Sequence, residues 1–341
     1  MLMNNSLLNG LLIFAILLGL AWLGGSILLP VLFAFLLWVI VVAWNKQFSR
    51  LSFRSKKLPK RIQSTVSFVT FIGVIFVLGN LLAADLQQFS AFYPELENNL
   101  QTRAVSIEQT IGINLTALVD ETVATINVQA VASEVASTVT TSSTTVFFVL
   151  LYVLYIFGER KYTDIKLKAA SKDSYESDKQ LIQDIISSIE QYVSIKTAIS
   201  ALTGLLSYFV MLAVGLEFAF VWAFIISVMN FIPSIGSVIA TAFPVIFALL
   251  SFETLWQATV LLTVIGIIQL YVGNVLEPKY LGKKLNVSSL LLFFTLFFWG
   301  AIWGIPGMFI SVPLTVIIMI ILSRLPATRP IGIWMSGDGI V

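Results

Sequence analysis

The sequence predicts an all-α, polytopic integral membrane protein: about six full spans, two broken re-entrant hairpins in an inverted repeat, and an outer helical insert. Three observations predict it. Apolar residues make up 58% of the chain and charged ones 11%, where soluble domains carry roughly 25% charged residues. The apolar residues come in runs of about 18 or more. Two of these runs, Phe218–Leu250 and Ser288–Leu322, are too long for one span and are broken at their centres by Pro and Gly.

The formal net charge of +2 implies no nucleic-acid partner, and there is no Cys and no His. Disulfides, thiolate metal sites, haem attachment and a histidine proton relay are thereby excluded. No metal centre or cofactor is expected. The N-terminus lacks a basic n-region and a small-residue cleavage site, so its first apolar run reads as a retained helix.

The membrane helices of residues 1–84 begin with Leu7–Leu23 and Ile27–Ala43, joined at Gly24-Gly25-Ser26 as a tight helical hairpin. Ala15-x-x-x-Gly19 and Ala21-x-x-x-Gly25 have the small-xxx-small spacing of close helix contacts. Lys46, Arg50, Arg54, Lys56, Lys57, Lys60 and Arg61 follow with no acid among them. Beside membrane spans such a run places its loop, and with it the N-terminus, in the cytoplasm. Ile62–Ala84 is the third span, leading outward.

Residues 85–143 change character: Asp85, Glu95, Glu97, Glu108, Asp120, Glu121 and Glu134 stand against Arg103. Apolar residues at helical spacing (Ile107, Ile111, Leu115, Leu118) make this a helical insert on the outer side. Residues 144–196 hold the fourth span and a cytoplasmic linker in which bases and acids mix. Within the linker Leu181, Ile182, Ile185, Ile186, Ile189 and Val193 repeat as an amphipathic helix. The motif-rich transport half, 197–322, opens with a fifth span at Thr197–Val214; residues 323–341 form a cytoplasmic tail.

Charge topology constrains the first broken segment. Glu217 and Glu253 both fall outside, because Leu255–Val275 must end at the basic cluster of Lys279, Lys283 and Lys284 inside. Hairpin 218–250 therefore enters and leaves on one face. Hairpin 288–322, followed by Arg324 and Arg329, does the same from the inner face. Gly/Pro-interrupted segments at matching positions of two inverted halves point to a transporter's midplane site.

Three motifs sit at these places: Asn230-Phe231-Ile232-Pro233-Ser234-Ile235-Gly236, Glu277-Pro278-Lys279-Tyr280-Leu281-Gly282, and Gly304-Ile305-Pro306-Gly307-Met308 with Val312-Pro313. With them the sequence resembles the autoinducer-2 exporter family of bacterial membrane proteins, also described as PerM-like permeases. The resemblance covers nearly the whole chain. It implies secondary transport in the bacterial inner membrane by a homo-oligomer, with export of the quorum-sensing molecule autoinducer-2 or, for some members, sodium/proton antiport. One departure is that Ser234 and Ser237 stand where the family often has an aromatic residue and a second Pro.

Two transport readings follow. An exporter of a small polar organic solute would use Asn230, Pro233, Ser234, Gly236 and Ser237 at one tip, Gly304, Pro306, Gly307 and Ser311 at the other, and the amides of Gln269 and Asn274. Alternating access could be elevator-like. A sodium/proton antiporter needs a membrane carboxylate, for which the candidates are Glu217, Glu253 and Glu277; all three fall near interfaces by charge topology. A non-transporting scaffold is the third reading. No His-Glu-x-x-His, Gly-x-Ser-x-Gly or Walker pattern supports an enzyme. The partners expected are a small-molecule solute, possible sodium or proton, membrane lipid and copies of the same chain.

Overall fold

The computed structural model describes residues 18–50, 60–111, 128–171, 174–281 and 286–339, together with 12, 15 and 16. Most of the first apolar run, residues 51–59 of the basic stretch and the middle of the outer insert lie outside the described residues. The described chain is helical: α1 Gly25–Arg50, α2 Lys60–Ile111, α3 Val128–Ala170, α4 Tyr175–Val214, α5 Ala219–Met229, α6 Ile235–Ser251, α7 Trp256–Tyr271, α8 Glu277–Leu281, α9 Ser289–Arg324 and α10 Arg329–Met335. A π-helical turn, Val272–Leu276, joins α7 to α8. Among the described residues five helices are long and apolar enough to cross a membrane, and α5 and α6 are shorter apolar helices.

Several predicted boundaries carry no break in the backbone. α2 continues through Asp85 to Ile111. The amphipathic run from Leu181 and the span from Thr197 form one helix, α4. Helical hydrogen bonding is indifferent to a change in the polarity of the faces, and α2 runs on although Gly73, Gly79 and Pro94 lie within it.

The chain divides into two compact units. One comprises residues 52–143 and 196–280. Its core joins Met211 and Leu216, Ala219, Ala223 and Ile226 of α5, Ala240, Phe247 and Ala248 of α6, and Ala258, Leu261 and Ile265 of α7. The alanines let these helix backbones approach closely, which is how apolar helices gain packing energy where lipid competes equally for Leu. At the open end of the α5–α6 hairpin, Phe89 and Phe92 of α2 meet Phe218 and Phe247 with ring centroids 5.3–6.1 Å apart. Trp222 stacks on Phe243 and also meets Phe247. Such pairs contribute about 0.5–1.5 kcal/mol each, so this end is clamped by aromatic rings.

The other unit comprises residues 1–51, 144–195 and 281–341. Here the Tyr175 hydroxyl donates to Asp164 at 2.7 Å, and that bond, with Lys179 and Lys168 nearby, holds the Asp164 carboxyl below its usual range. Arg324 of α9 pairs with Asp184 of α4. Within α9, Gly304 has φ 64° and ψ −145°, a region that residues with a Cβ rarely enter. The two arms, 289–303 and 305–324, turn back on each other there. A Cβ built on Gly307 would lie 2.0 Å from the Trp299 carbonyl oxygen, and one on Gly300 2.8 Å from the Met308 side chain. Residues eight apart along a straight helix would be separated by about 12 Å.

The Gly24 joint is a break in the helical ladder. Gly24 N–H donates to Leu20 O, and the ladder resumes with Leu28 N–H on Gly24 O. The freed Ala21 carbonyl accepts from Trp303 Nε1 at 2.9 Å, and the Trp303 ring fills the space above Gly25. Trp303→Phe keeps an aromatic ring but removes the donor and part of the indole over Gly25, so the folded protein should lose about 1 kcal/mol or more. A thermal melt of the detergent-solubilised variant checks this; an unchanged midpoint would show that the bond contributes nothing.

Candidate functional site

The α5–α6 hairpin is where the sequence placed a break, and its tip borders a cavity of about 600 Å³. At 1.5 Å per residue the arms of 11 and 17 residues span about 16 and 25 Å, short of a hydrocarbon core of about 30 Å. Asn230 closes α5. Pro233 has no N–H to continue the ladder, and Ser234 turns the chain with φ 60° and ψ −56°. A non-glycine residue held there stores strain of about 1–3 kcal/mol, a state that recurs at functional sites. Ser237 Oγ steadies the turn by donating to Ser234 O at 2.9 Å. Gly236 lies buried beneath the tip, where a Cβ would stand 1.9 Å from Met229 O. The α9 break uses the same device: Gly307 against the carbonyl eight residues earlier, just as Gly236 meets the one seven earlier.

Asn230, Pro233, Ser234 and Ser237 line the cavity, as do Gln269, Asn274 and Glu277. The structure thus brings together seven residues named from sequence. Asn230 is buried, and its Nδ2 donates to Ser200 Oγ at 3.1 Å. Asn274 Nδ2 returns to Leu270 O within its own helix. Gln269 is different: it is 9% exposed and its Nε2 has no hydrogen-bond partner among the described residues. A buried donor left unsatisfied costs about 1–3 kcal/mol, a cost that a bound acceptor would remove.

The first turn of α6 borders the same cavity through Ser234, Ser237 and Val238. Its N–H groups and dipole make that wall electropositive. On the opposite wall the ladder widens: Glu277 N–H bonds back to Val272 O across the π-turn. Turns of this kind are frequent at functional sites; this one brings Gly273, Asn274 and Glu277 onto the cavity wall.

The charge topology located Glu277 near an interface, but its neighbours tell more. Lys196 Nζ lies 2.6 Å from Glu277 Oε1, with side-chain exposures of 2% and 23%. Among the described residues, Lys196 and Glu277 are the charged ones on the cavity wall. By its charge pattern Lys196 falls at the end of the cytoplasmic amphipathic linker. The signal that finds it is spacing: Lys196, Ser200, Thr203 and Ser207 recur at four, three and four residues, on one face of α4. All four are at most 1% exposed.

The remaining candidates lie elsewhere. Glu217 is exposed and borders a different hollow, with Asp85, Gln88 and Tyr208. Glu253 is exposed in the turn between α6 and α7. Gly304, Pro306, Gly307 and Ser311 belong to the other unit. There Gly304 and Pro306 are exposed, and Ser311 is buried with its hydroxyl donating to Met308 O at 2.7 Å. No group of three or more carboxylates that could hold a metal ion occurs among the described residues.

The chain matches the sequence model of the AI-2E family transporters over residues 11–327. It is 31% identical over 286 residues, 82% of each chain, to the AI-2 transport protein TqsA of Escherichia coli (strain K12). A Borreliella burgdorferi protein is 37% identical over 203 residues, 59% of this chain and 56% of its own. YhhT of Escherichia coli (strain K12) is 24% identical over 271 residues, 77% and 76%. The descriptions of these last two give a transport role and no solute. Long apolar helices, a broken hairpin at a polar cavity and a match across nearly the whole chain agree, and the chain belongs to the AI-2E family of transporters, multi-pass membrane proteins rather than enzymes.

Proposed function

We propose that this protein is a secondary transporter that exports a small polar organic solute, autoinducer-2-like in size and hydroxyl content. It would act by alternating access as a homo-oligomer in the bacterial inner membrane, with both termini in the cytoplasm. The observation that carries this reading is the unpartnered Gln269 amide in a cavity at the tip of a broken hairpin. Half-length helices and irregular backbone at membrane depth are tolerated where they line a cavity, and midplane sites of secondary transporters are built that way. The relative TqsA, an AI-2 transport protein, supports the solute class.

The absence of native Cys makes accessibility a clean test. A single Ser234→Cys substitution, exposed at the tip, should react with impermeant thiol reagents from one face in one state and be protected by solute. Ser311→Cys, buried in α9, should remain inert in comparison. Ser234→Cys that stays inert under every condition removes the basis for the access site. Gln269→Leu keeps the volume and deletes the amide, and efflux of autoinducer-2 from liposomes should fall about tenfold or more, the equivalent of one lost hydrogen bond.

Sodium/proton antiport is a second reading, favoured by Glu277 on the cavity wall. Sodium-driven pH change in the same liposomes without any organic flux would select it. No flux of either kind would leave the scaffold reading.

A further inference from the structure

We propose that Lys196 is the anion receptor of the cavity and that Glu277 is its exchangeable internal counter-ion. The solute is thereby a small hydroxylated monoanion that binds together with one proton. This rests on the reading of the cavity as a transport site and names the charge of what enters it.

Three features of the wall point the same way. Lys196 is 1% exposed, so its charge needs a partner in every state of the protein. Its ion-pair partner among the described residues, Glu277, is held through a single contact and keeps side-chain exposure of 23% on the cavity wall. The wall also offers donors: the Nε2 of Gln269, which has no partner among the described residues, and the N-terminal end of α6 beside Ser234 and Ser237. With Lys196 and Glu277 cancelling, these donors suit a solute that carries acceptors.

Charge balance then dictates the linkage. In the resting site Lys196 and the Glu277 carboxylate sum to zero. When an anion takes the place of the carboxylate at Lys196 Nζ, the displaced carboxylate faces an added negative charge. It is neutralised by taking one proton from solvent, and the site again sums to zero. The described polar residues that line the cavity with the pair are otherwise neutral: Asn230, Ser234, Ser237 and Thr241 from the hairpin, Gln269 from α7 and Asn274 from the π-turn. Lys279, two residues beyond Glu277, is exposed and is not on the cavity wall. Coupling of this sign lets a solute made in the cell leave together with its proton.

The test uses the full chain in nanodiscs at pH near 7, titrated calorimetrically in two buffers of different ionisation enthalpy. Glycerate, a hydroxylated monoanion, and glycerol, its neutral counterpart, are the probes. Glycerate is expected to bind at least about tenfold more tightly than glycerol, taking up about one proton per anion. Glu277→Gln should retain glycerate binding and lose the proton uptake. The doubly neutral K196M/E277Q protein, which leaves no lone buried charge, should lose the preference for glycerate. Equal binding of the two probes, no glycerate binding at millimolar levels, or proton uptake that persists in Glu277→Gln overturns the assignment. Liposome flux separates this from the transport reading. Glycerate that binds with a proton but is never carried sinks transport alone, and autoinducer-2 efflux with no anion preference sinks the receptor alone.

Discussion

Gly307→Ala and Gly236→Ala are each expected to destabilise the folded protein by about 3 kcal/mol or more, because the added methyl meets backbone rather than a side chain that can swing away. The built Cβ atoms would stand 2.0 Å from Trp299 O and 1.9 Å from Met229 O. Relief requires the two arms of a hairpin to separate, and the arms of α5–α6 are held at their far end by Phe218, Trp222 and Phe247. Two neighbouring substitutions calibrate the effect. Gly304→Ala meets no atom within 4 Å but forces a Cβ onto a residue at φ 64° and ψ −145°, for which about 1–3 kcal/mol is expected. Gly300→Ala meets the flexible end of Met308 and should cost less still. Melting midpoints in detergent should therefore fall furthest for positions 236 and 307, less for 304 and least for 300. Equal midpoints for 307 and 300 would mean that the arms do not approach as described.

The Lys196–Glu277 pair carries the second large effect. Glu277→Leu alone strands an ammonium group that is 2% exposed, and removing one partner of a buried pair costs about 3–5 kcal/mol. Lys196→Met alone should cost less, since Glu277 can turn its partly exposed carboxylate toward the cavity. The double replacement K196M/E277L removes both charges with apolar side chains of similar length, and should recover most of the loss. A double-mutant cycle on thermal stability measures this directly. Additive single effects would show that the two groups do not interact. Because stability and transport are separate readouts, a stable double variant that no longer carries solute would place the pair's value in function rather than in the fold.

Helical class, membrane location and the two break points were legible before any coordinates. Apolar run length and Pro/Gly placement are local properties, and a bilayer leaves few alternatives to helices. Pro233 and Gly304 end their helices for reasons within a few residues of themselves, the first by lacking an N–H and the second by its φ. Asn230, Ser234, Ser237, Gln269 and Asn274 could be picked as candidates because polar residues are costly in apolar runs.

Local composition was a poorer guide at the cavity's charged wall. Lys196 follows a stretch rich in acids and bases, so averaging over that stretch sends it to water, whereas the polar face shared with Ser200, Thr203 and Ser207 turns it inward. Asp85 looked like the start of a separate insert, yet nothing near it breaks α2. Sequence by itself thus determined that the chain is helical, membrane-embedded and interrupted at residues 233 and 304. Tertiary structure alone decided that Lys196 meets Glu277 across 81 positions of chain, that Gln269 Nε2 has no partner among the described residues, and that Gly236 and Gly307 admit no methyl group. Those facts depend on which helix faces pack together, and close packing is a property of the assembled helices that no single segment encodes.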